Sequence, residues 1–567
     1  MPQYCGKMVS MERDVDSSNL LTRQAGDLPT PLAIEHFLRD AAATYPTVAA
    51  LDFYDRVVTF AELGNLATRA AIGFQRLGVR PGTPVGLHLL NTPHYVVCFF
   101  GVLMAGGWVV NISPLLAPRE LKHQLADSGV RLLVTSKVPA LDRRISWDEK
   151  FDDLETIVVC RVEDFLAPDI ASSIVGSTAG GMPQARQSVE FSELVANENG
   201  LTTYPHGDLR DEVAVLQYTG GTTGSPKGAM LTHANLSAVL HISAQQGELV
   251  AGTHRKTLMI LPISHIFGLV TMLESVRAGN ELVLHLRFDV RRLLGDIDRK
   301  KIAFFSGVPT MYTAIVNHPK VHEFDLSSLL RCSVGGAPFP ADIRDRFKEI
   351  TGLEPRSGYG LTETATLAAR HVRNVLTPPG SVGFPASHTK IEIVDLQAGV
   401  DVLPPGEVGE ICISGPQVMK GYWNNPEATA EAFRGGRFHT GDIGRLDRDG
   451  FLTLVDRKKD MVISAGLNVF PSDVERAIAE HPSVAEVAVI GLPDPTVGQL
   501  IKAFIVLKPG KVAPGIGELN QFLAPRLASY KIPAAVEFID ALPKTIIGKV
   551  LKQALLARHD PVATRPV

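Results

Sequence analysis

Short apolar runs alternate with helical stretches along most of this chain, and that alternation narrows its fold more than any other feature. Pro84 to Leu90, Arg131 to Thr135, Thr156 to Val162, Val213 to Tyr218, Leu258 to Leu261, Glu281 to Leu284 and Ile302 to Ser306 read as strands. Between such runs lie helical patterns. Ile34, Phe37, Leu38, Ala41, Ala42 and Tyr45 repeat at helical spacing, with Pro31 suited to the first turn. Thr59-Phe60-Ala61-Glu62 reads as a capping box that opens a second helix. Strands separated by helices build a parallel, layered α/β architecture.

At 567 residues the chain is too long for one hydrophobic core, so at least two domains are expected. Residues 1–28 are polar and read as a flexible arm. Ser172 to Gln187 is Ser/Gly/Ala-rich and reads as a surface loop. After Pro378 the texture shifts to short strands with glycine turns, as in Lys390 to Asp395, Gly409 to Ser414 and Phe451 to Val455, which suggests a β-rich subdomain. Past Asp456 it shifts again. A second capping box, Ser472-Asp473-Val474-Glu475, precedes strands at Val484 to Ile490 and Ala503 to Leu507 and a helix near Gly517 to Leu527, a compact α+β unit. The expected organisation is an arm (1–28), a large domain (29–456), a hinge (457–460) and a small domain (461–567).

Charge and cysteine usage exclude several functions. Lysine plus arginine (56) nearly balance aspartate plus glutamate (60), which leaves no global field for nucleic acid or anionic lipid. Cys5, Cys98, Cys160, Cys332 and Cys412 form no CxxC pair, so neither a disulfide framework nor a zinc site is suggested. The mixed charges of the first residues lack the shape of a secretory signal, and a cytoplasmic location fits. Tyr95 to Val110, the most membrane-like segment, contains three glycines and falls short of the ~20 residues a spanning helix needs. It reads as a buried helix followed by a core strand.

Function must therefore sit in local sites. The stretch Thr219-Gly220-Gly221-Thr222-Thr223-Gly224-Ser225-Pro226-Lys227 follows an apolar run and is built to wrap phosphates. Glycines let backbone N–H groups turn toward an anion, threonines add donors, and Lys227 adds a mobile positive charge. Ser225-Pro226 separates Gly224 from Lys227, so this is not a Walker A loop. Four further clusters are polar and glycine-rich: Gly358-Tyr359-Gly360-Leu361-Thr362-Glu363, Thr440-Gly441-Asp442-Ile443-Gly444, Asp456-Arg457-Lys458-Lys459-Asp460 and Pro543-Lys544-Thr545-Ile546-Ile547-Gly548-Lys549. Each alone would pass for a turn, an Asx cap or a solvated face.

In order and together, they resemble the signature motifs of the adenylate-forming ligases, the superfamily of acyl-CoA synthetases, luciferase and nonribosomal-peptide adenylation domains. The resemblance spans about Thr30 to Leu555, and in wording the chain looks most like the bacterial long-chain fatty-acid CoA ligases. It implies a large N-terminal domain of layered α/β subdomains plus a β-rich subdomain, and a small mobile α+β C-terminal domain. It also implies ATP, Mg²⁺ and coenzyme A as reactants. Lys549, Glu363 and Thr362 would be catalytic, with Thr222 and Glu363 holding the metal. Thr219, Gly220, Gly221, Thr222, Thr223, Gly224, Lys227, Gly335, Gly336, Ala337, Gly358, Tyr359, Gly360, Asp442 and Arg457 would bind the nucleotide. Lys459 would be the hinge and Gly466 would flank the pantetheine channel.

In the same resemblance, Pro262-Ile263-Ser264-His265-Ile266-Phe267 falls where the acyl carboxylate is recognised, so His265 and Phe267 are assigned to the acyl pocket; a packed histidine is the plainer alternative for His265. That motif lacks the aspartate by which adenylation domains hold an amino group, which argues against an α-amino acid. Leu269, Val270, Met272, Leu273, Val308, Pro309 and Met311 are candidates for an alkyl channel, and core packing explains them equally well. The expected activity is ATP-dependent ligation of a long- or medium-chain fatty acid to CoA. Aryl- or dicarboxylic-acid ligation, and a silent lipid-binding member of the fold, remain open. Peripheral contact with the inner membrane and a homodimer are both compatible with the chain.

Overall fold

The computed structural model describes residues 27–136, 151, 153–175, 185–219, 226–245, 251–337, 339–372, 375–464, 467–494, 497–544 and 550–558. Two large sheets carry the N-terminal part. In the first, Ala49–Phe53, Glu281–Leu284, Lys256–Met259, Phe304–Gly307, Arg331–Val334 and Arg356–Tyr359 run parallel to their neighbours. Ala49–Phe53, Glu281–Leu284 and Phe304–Gly307 are almost wholly buried, as sheets with both faces covered require, whereas Arg331–Val334 and Arg356–Tyr359 are partly exposed. Beyond Arg356–Tyr359 the pairing turns antiparallel, through Ala369–Arg370, Ser381–Pro385, Leu452–Arg457, Arg437–Leu446, Gly409–Ser414 and Lys390–Val394. The β-rich texture after Pro378 is thus an extension of the parallel sheet.

The second sheet orders Gly421–Tyr422, Gly228–Thr232, Val213–Tyr218, Trp108–Asn111, Pro84–His88, Leu132–Ser136, Thr156–Cys160 and Gln187–Glu190. Only its first two strands pair antiparallel. Helices Ile34–Thr44, Phe60–Arg76, Pro93–Met104 and Ile266–Ala278 contribute to one continuous core with strands of both sheets. Every residue of Pro93–Met104 is buried, and the chain then enters the buried strand Trp108–Asn111. The apolar segment from Tyr95 is therefore core, and among the described residues no helix is long and apolar enough to cross a membrane.

A third sheet is built from the C-terminal part, in the order Leu467–Val469, Val462–Ser464, Gly498–Leu507 and Val484–Asp494, with Ala535–Phe538 parallel to Gly498–Leu507. Val474, Ile478, Leu519 and Leu523, from the helices Pro471–Ala479 and Ile516–Leu523, seal one of its faces in a separate apolar cluster.

Three local expectations are corrected. The first helix starts at Ile34, and Pro31 lies outside its first turn; the buried His233 ring accepts the Ile34 N–H at 3.0 Å. Residues Pro168–Val175 form a helix, so the loop expected from Ser172 does not begin there; 176–184 lie outside the described residues. Ser472 is not an N-cap either. It is inside the helix, its hydroxyl donating to the Val455 carbonyl at 2.6 Å and its N–H to Asp456 at 2.8 Å, which ties this helix to the preceding sheet. Glu475 accepts from the Val489 N–H. By contrast, Thr59 caps Phe60–Arg76 by accepting the Glu62 N–H, though the Glu62 carboxylate pairs with Arg56 rather than returning to the cap.

Candidate active site

The strands Val213–Tyr218 and Gly228–Thr232 form a hairpin, with Tyr218 opposite Gly228 and the Thr219 N–H donating to the Lys227 carbonyl at 2.9 Å. The glycine- and threonine-rich stretch lies between these two strands in the sequence. Gly220, Gly221, Thr222, Thr223 and Gly224 lie outside the described residues; Thr219 and Lys227 line a cavity of about 1090 Å³. The Lys227 ammonium stands 5.2 Å from the centre of the Tyr422 ring.

Opposite it lies an acidic pair of walls. Thr362 and Glu363 sit in a single 3₁₀ turn that ends in left-handed residues, Ala365 (φ 45°) and Thr366 (φ 72°). Gly360 makes that turn feasible, because a Cβ there would lie 1.9 Å from the Thr366 carbonyl oxygen. The turn buries Glu363, which accepts the Tyr422 hydroxyl at 2.8 Å. Burial raises its pKa above the ordinary carboxylate value, with the Tyr422 hydrogen bond opposing that shift.

Asp442 and Arg457 are cross-strand partners, and their side chains meet at 2.6 Å. The buried Tyr359 hydroxyl donates to the other Asp442 oxygen at 2.7 Å, and burial together with the Asp442 charge keeps that phenol protonated. Gly335, Gly336, Gly358, Gly360 and Thr362 line the first cavity beside Glu363 and Arg457. A second cavity of about 2060 Å³ shares Gly336, Gly358, Gly360, Arg457 and Lys459 with it, and adds Ala337, Tyr359 and Asp442. The two cavities therefore adjoin at these glycines.

His265 caps the helix Ile266–Ala278, its Nδ1 accepting the Phe267 N–H at 3.2 Å. Burial pushes its pKa down to about 4, so the ring is neutral with its proton on Nε2. The next turn is held close, since a Cβ on Gly268 would lie 2.2 Å from the Pro262 carbonyl oxygen. Both His265 and Phe267 line the first cavity. Of the proposed channel residues only Val270 does so. Leu269, Met272 and Leu273 point into the main core, Val308 and Pro309 are buried elsewhere, and Met311 packs on a second cluster, because their helical phase turns them away from the opening.

What holds the 261–265 segment went unread in the sequence. Asn91 accepts the Ile263 N–H at 2.9 Å and donates to the Leu261 carbonyl at 2.9 Å. Asn111 takes the Tyr95 hydroxyl and donates to Gln217, which in turn donates to the Ser264 carbonyl. These amides are buried, and each stands at the end of an apolar run, which was the signal available. Lys459 lines both cavities, and burial lowers its pKa. Its neighbour Lys458 is anchored to the buried Glu410 at 2.9 Å. Lys549 and Gly466 lie outside the described residues. On either side of 545–549, Lys544 and Val550 form an antiparallel bridge, and Val550 and Lys552 line the second cavity with Asp442 and Arg457.

The two adjoining cavities thus carry both cationic and carboxylate side chains in their walls. The AMP-binding enzyme family matches residues 38–423, and the AMP-binding enzyme C-terminal domain matches residues 473–549. The chain belongs to the AMP-binding, adenylate-forming enzymes. Among relatives of this AMP-binding enzyme, a long-chain-fatty-acid–CoA ligase of Bacillus subtilis is 37% identical over 94% of this chain and 95% of its own length. A feruloyl-CoA synthase of an Amycolatopsis species is likewise 37% identical, over 89% of this chain and 95% of its own. Among solved structures, o-succinylbenzoate CoA synthetase of Bacillus subtilis, in complex with ATP and magnesium ion, is 30% identical with a TM-score of 0.75, covering 93% of this chain and all of that one. ATP-bound MatB from Rhodopseudomonas palustris is 26% identical with a TM-score of 0.79, covering 94% and 100%.

Proposed function

We propose that this chain is an ATP-dependent, AMP-forming fatty-acid–CoA ligase. The acid's carboxylate attacks the α-phosphorus of ATP and expels pyrophosphate; the thiolate of CoA then attacks the acyl carbon of the mixed anhydride and expels AMP. The observation that carries this reading is a pair of cavities that share Gly336, Gly358, Gly360, Arg457 and Lys459, the first lined also by Lys227, Glu363, His265 and Phe267 and the second by Asp442. Retention of the Asp442–Arg457 ion pair and of the buried Glu363 favours an enzyme over a silent lipid-binding relative.

Both half-reactions bring negative groups together, so the rate depends on charge fixed in place beforehand. Lys549 is assigned as the cation shared by the acyl carboxylate and α-phosphate, and Thr362 as a donor to that phosphate. Asp442 fits the ribose hydroxyls, with Tyr359 and Arg457 orienting its two oxygens. The glycines 335, 336, 358 and 360, with Ala337, leave a flat slot for adenine, and Thr219 through Gly224 with Lys227 wrap the polyphosphate. Glu363 and Thr222 would hold Mg²⁺. The site fits one, because a buried carboxyl with a raised pKa lacks the positive charge that a divalent ion supplies. When bound, that ion neutralises phosphate charge. Lys459 at the 457–460 boundary is the pivot about which the small domain turns between half-reactions, with Gly466 beside the pantetheine path.

An aryl acid is the second reading, favoured by the likeness to feruloyl-CoA synthase. Thioester formation with ATP, CoA and acids of graded length, alongside cinnamic acids, separates the two. Turnover of the alkyl acids supports the fatty acid; turnover of aryl acids alone defeats it; no turnover with either defeats the enzyme assignment.

A further inference from the structure

The acyl end of the first cavity does not finish in hydrocarbon. On the helix Ile266–Ala278 its wall is the stripe Phe267, Val270, Thr271 and Glu274, and the facing helix His233–Gln245 contributes Val239 and Ser243. Glu274 follows His265 by nine residues, roughly 13 Å along the axis at 1.5 Å per residue. Both helices thus contribute polar groups to the lining, Ser243 on one and Thr271 and Glu274 on the other. Glu274 is half-buried and has a cationic neighbour: the half-buried Arg277 guanidinium, one turn on, is lowered in pKa by burial while the Glu274 charge works against that shift. A cation is thus already supplied by the protein, and the bound acid need not bring one.

We propose that Glu274 is the specificity-determining residue of the acyl site, admitting tails that carry a hydroxyl at its depth and rejecting tails that carry a second carboxylate. The inference rests on the acyl-CoA ligase reading and deepens it to a substrate class, hydroxylated monocarboxylic acids. A hydroxyl donates to the carboxylate in a charge-assisted bond. A second carboxylate faces like charge at Glu274. An alkyl tail reaching Glu274 strips it of water without replacing the hydrogen bond, and shorter tails are unaffected.

The test compares wild type, Glu274→Gln and Glu274→Leu in thioester formation on two matched series: dodecanoic, ω-hydroxydodecanoic and dodecanedioic acid, and cinnamic, para-hydroxycinnamic and para-carboxycinnamic acid. The readout is the ratio of kcat/KM values within whichever series the wild type turns over. The hydroxy acid should exceed the diacid by roughly 10²-fold in wild type. Glu274→Gln should raise the diacid about tenfold while leaving the parent acid within about threefold, and Glu274→Leu should erase the hydroxyl preference and favour the parent acid. An unchanged hydroxy-to-diacid ratio in both variants, with the parent acid still turned over, overturns the role of Glu274 and leaves the ligase reading intact. Absence of thioester in both series for the wild type overturns both.

Discussion

At the scale of single residues, the chemistry comes down to where charge is held without solvent. Lys549→Ala is expected to leave folding and ATP binding in place and to slow adenylation by roughly 10²–10³, the loss typical of one preorganised donor. Pyrophosphate exchange measures it, and an unchanged rate would remove Lys549 from the mechanism. Glu363 gives a prediction of opposite sign for stability and activity. Its pKa is raised by burial, so the native state holds that proton more tightly than the unfolded chain, and its contribution falls as pH rises above the ordinary carboxylate range. At neutral pH the ionised form costs stability. Glu363→Gln should therefore raise the Tm of the ligand-free protein while lowering adenylation by about 10²-fold; a lower Tm would show that the carboxylate is stabilised by partners rather than strained by burial.

At the scale of elements, short turns decide whether the site residues converge. Gly360→Ala places a methyl group where the Thr366 carbonyl already stands, so the turn that carries Thr362 and Glu363 must open. The expected cost is about 1–3 kcal/mol, with a rise in KM for ATP because Tyr359 moves with it. Denaturant melts and ATP titration check both, and an unchanged KM would separate the turn from the nucleotide slot. Much at this scale was legible beforehand. The strands Val213–Tyr218 and Glu281–Leu284 are bounded as their apolar runs are, and the Thr59 cap lies where its hydroxyl and the following glutamate placed it. The Ser472 capping box failed for a physical reason: its hydroxyl found a tertiary acceptor, the Val455 carbonyl, which local pattern does not contain. For the alkyl-channel candidates, core packing, the alternative left open, holds for all but Val270. Thr271 and Glu274 mark the side of that helix that meets the cavity.

At the scale of the whole molecule, the proposed reading has the C-terminal part take two positions, one for each half-reaction. Gly466→Leu should suppress thioester formation while adenylation persists, read as acyl-adenylate accumulating in single-turnover assays; parallel loss of both would indicate misfolding. Acid stability is also a property of the whole chain. Burial pushes His88, His233 and His265 each from 6.5 down to about 4, so between those values unfolding takes up protons that the native state refuses, and stability falls as pH drops. His206 behaves oppositely. Hydrogen bonds to Glu35 and Glu212 raise it to about 9, so its contribution is fully present below 6.5 and is lost as pH rises through 9. Thermal melts near neutrality should exceed those at about pH 5 and about pH 10, and His206→Gln should flatten the alkaline limb only.

Sequence alone determined the parallel α/β frame and the order of the polar clusters, because strand and helix periodicities and glycine-rich turns are local properties of the chain; the kind of chemistry came from the family resemblance that those clusters carry. Tertiary structure decided which side chains meet across distant stretches of the chain: Tyr359 with Asp442, Tyr422 with Glu363, and Gln217 with the carbonyl of Ser264. It also placed Glu274 in the wall of the first cavity. A buried carboxylate's partners and a cavity's depth follow from how sheets and helices pack, and no run of neighbouring residues encodes that by itself.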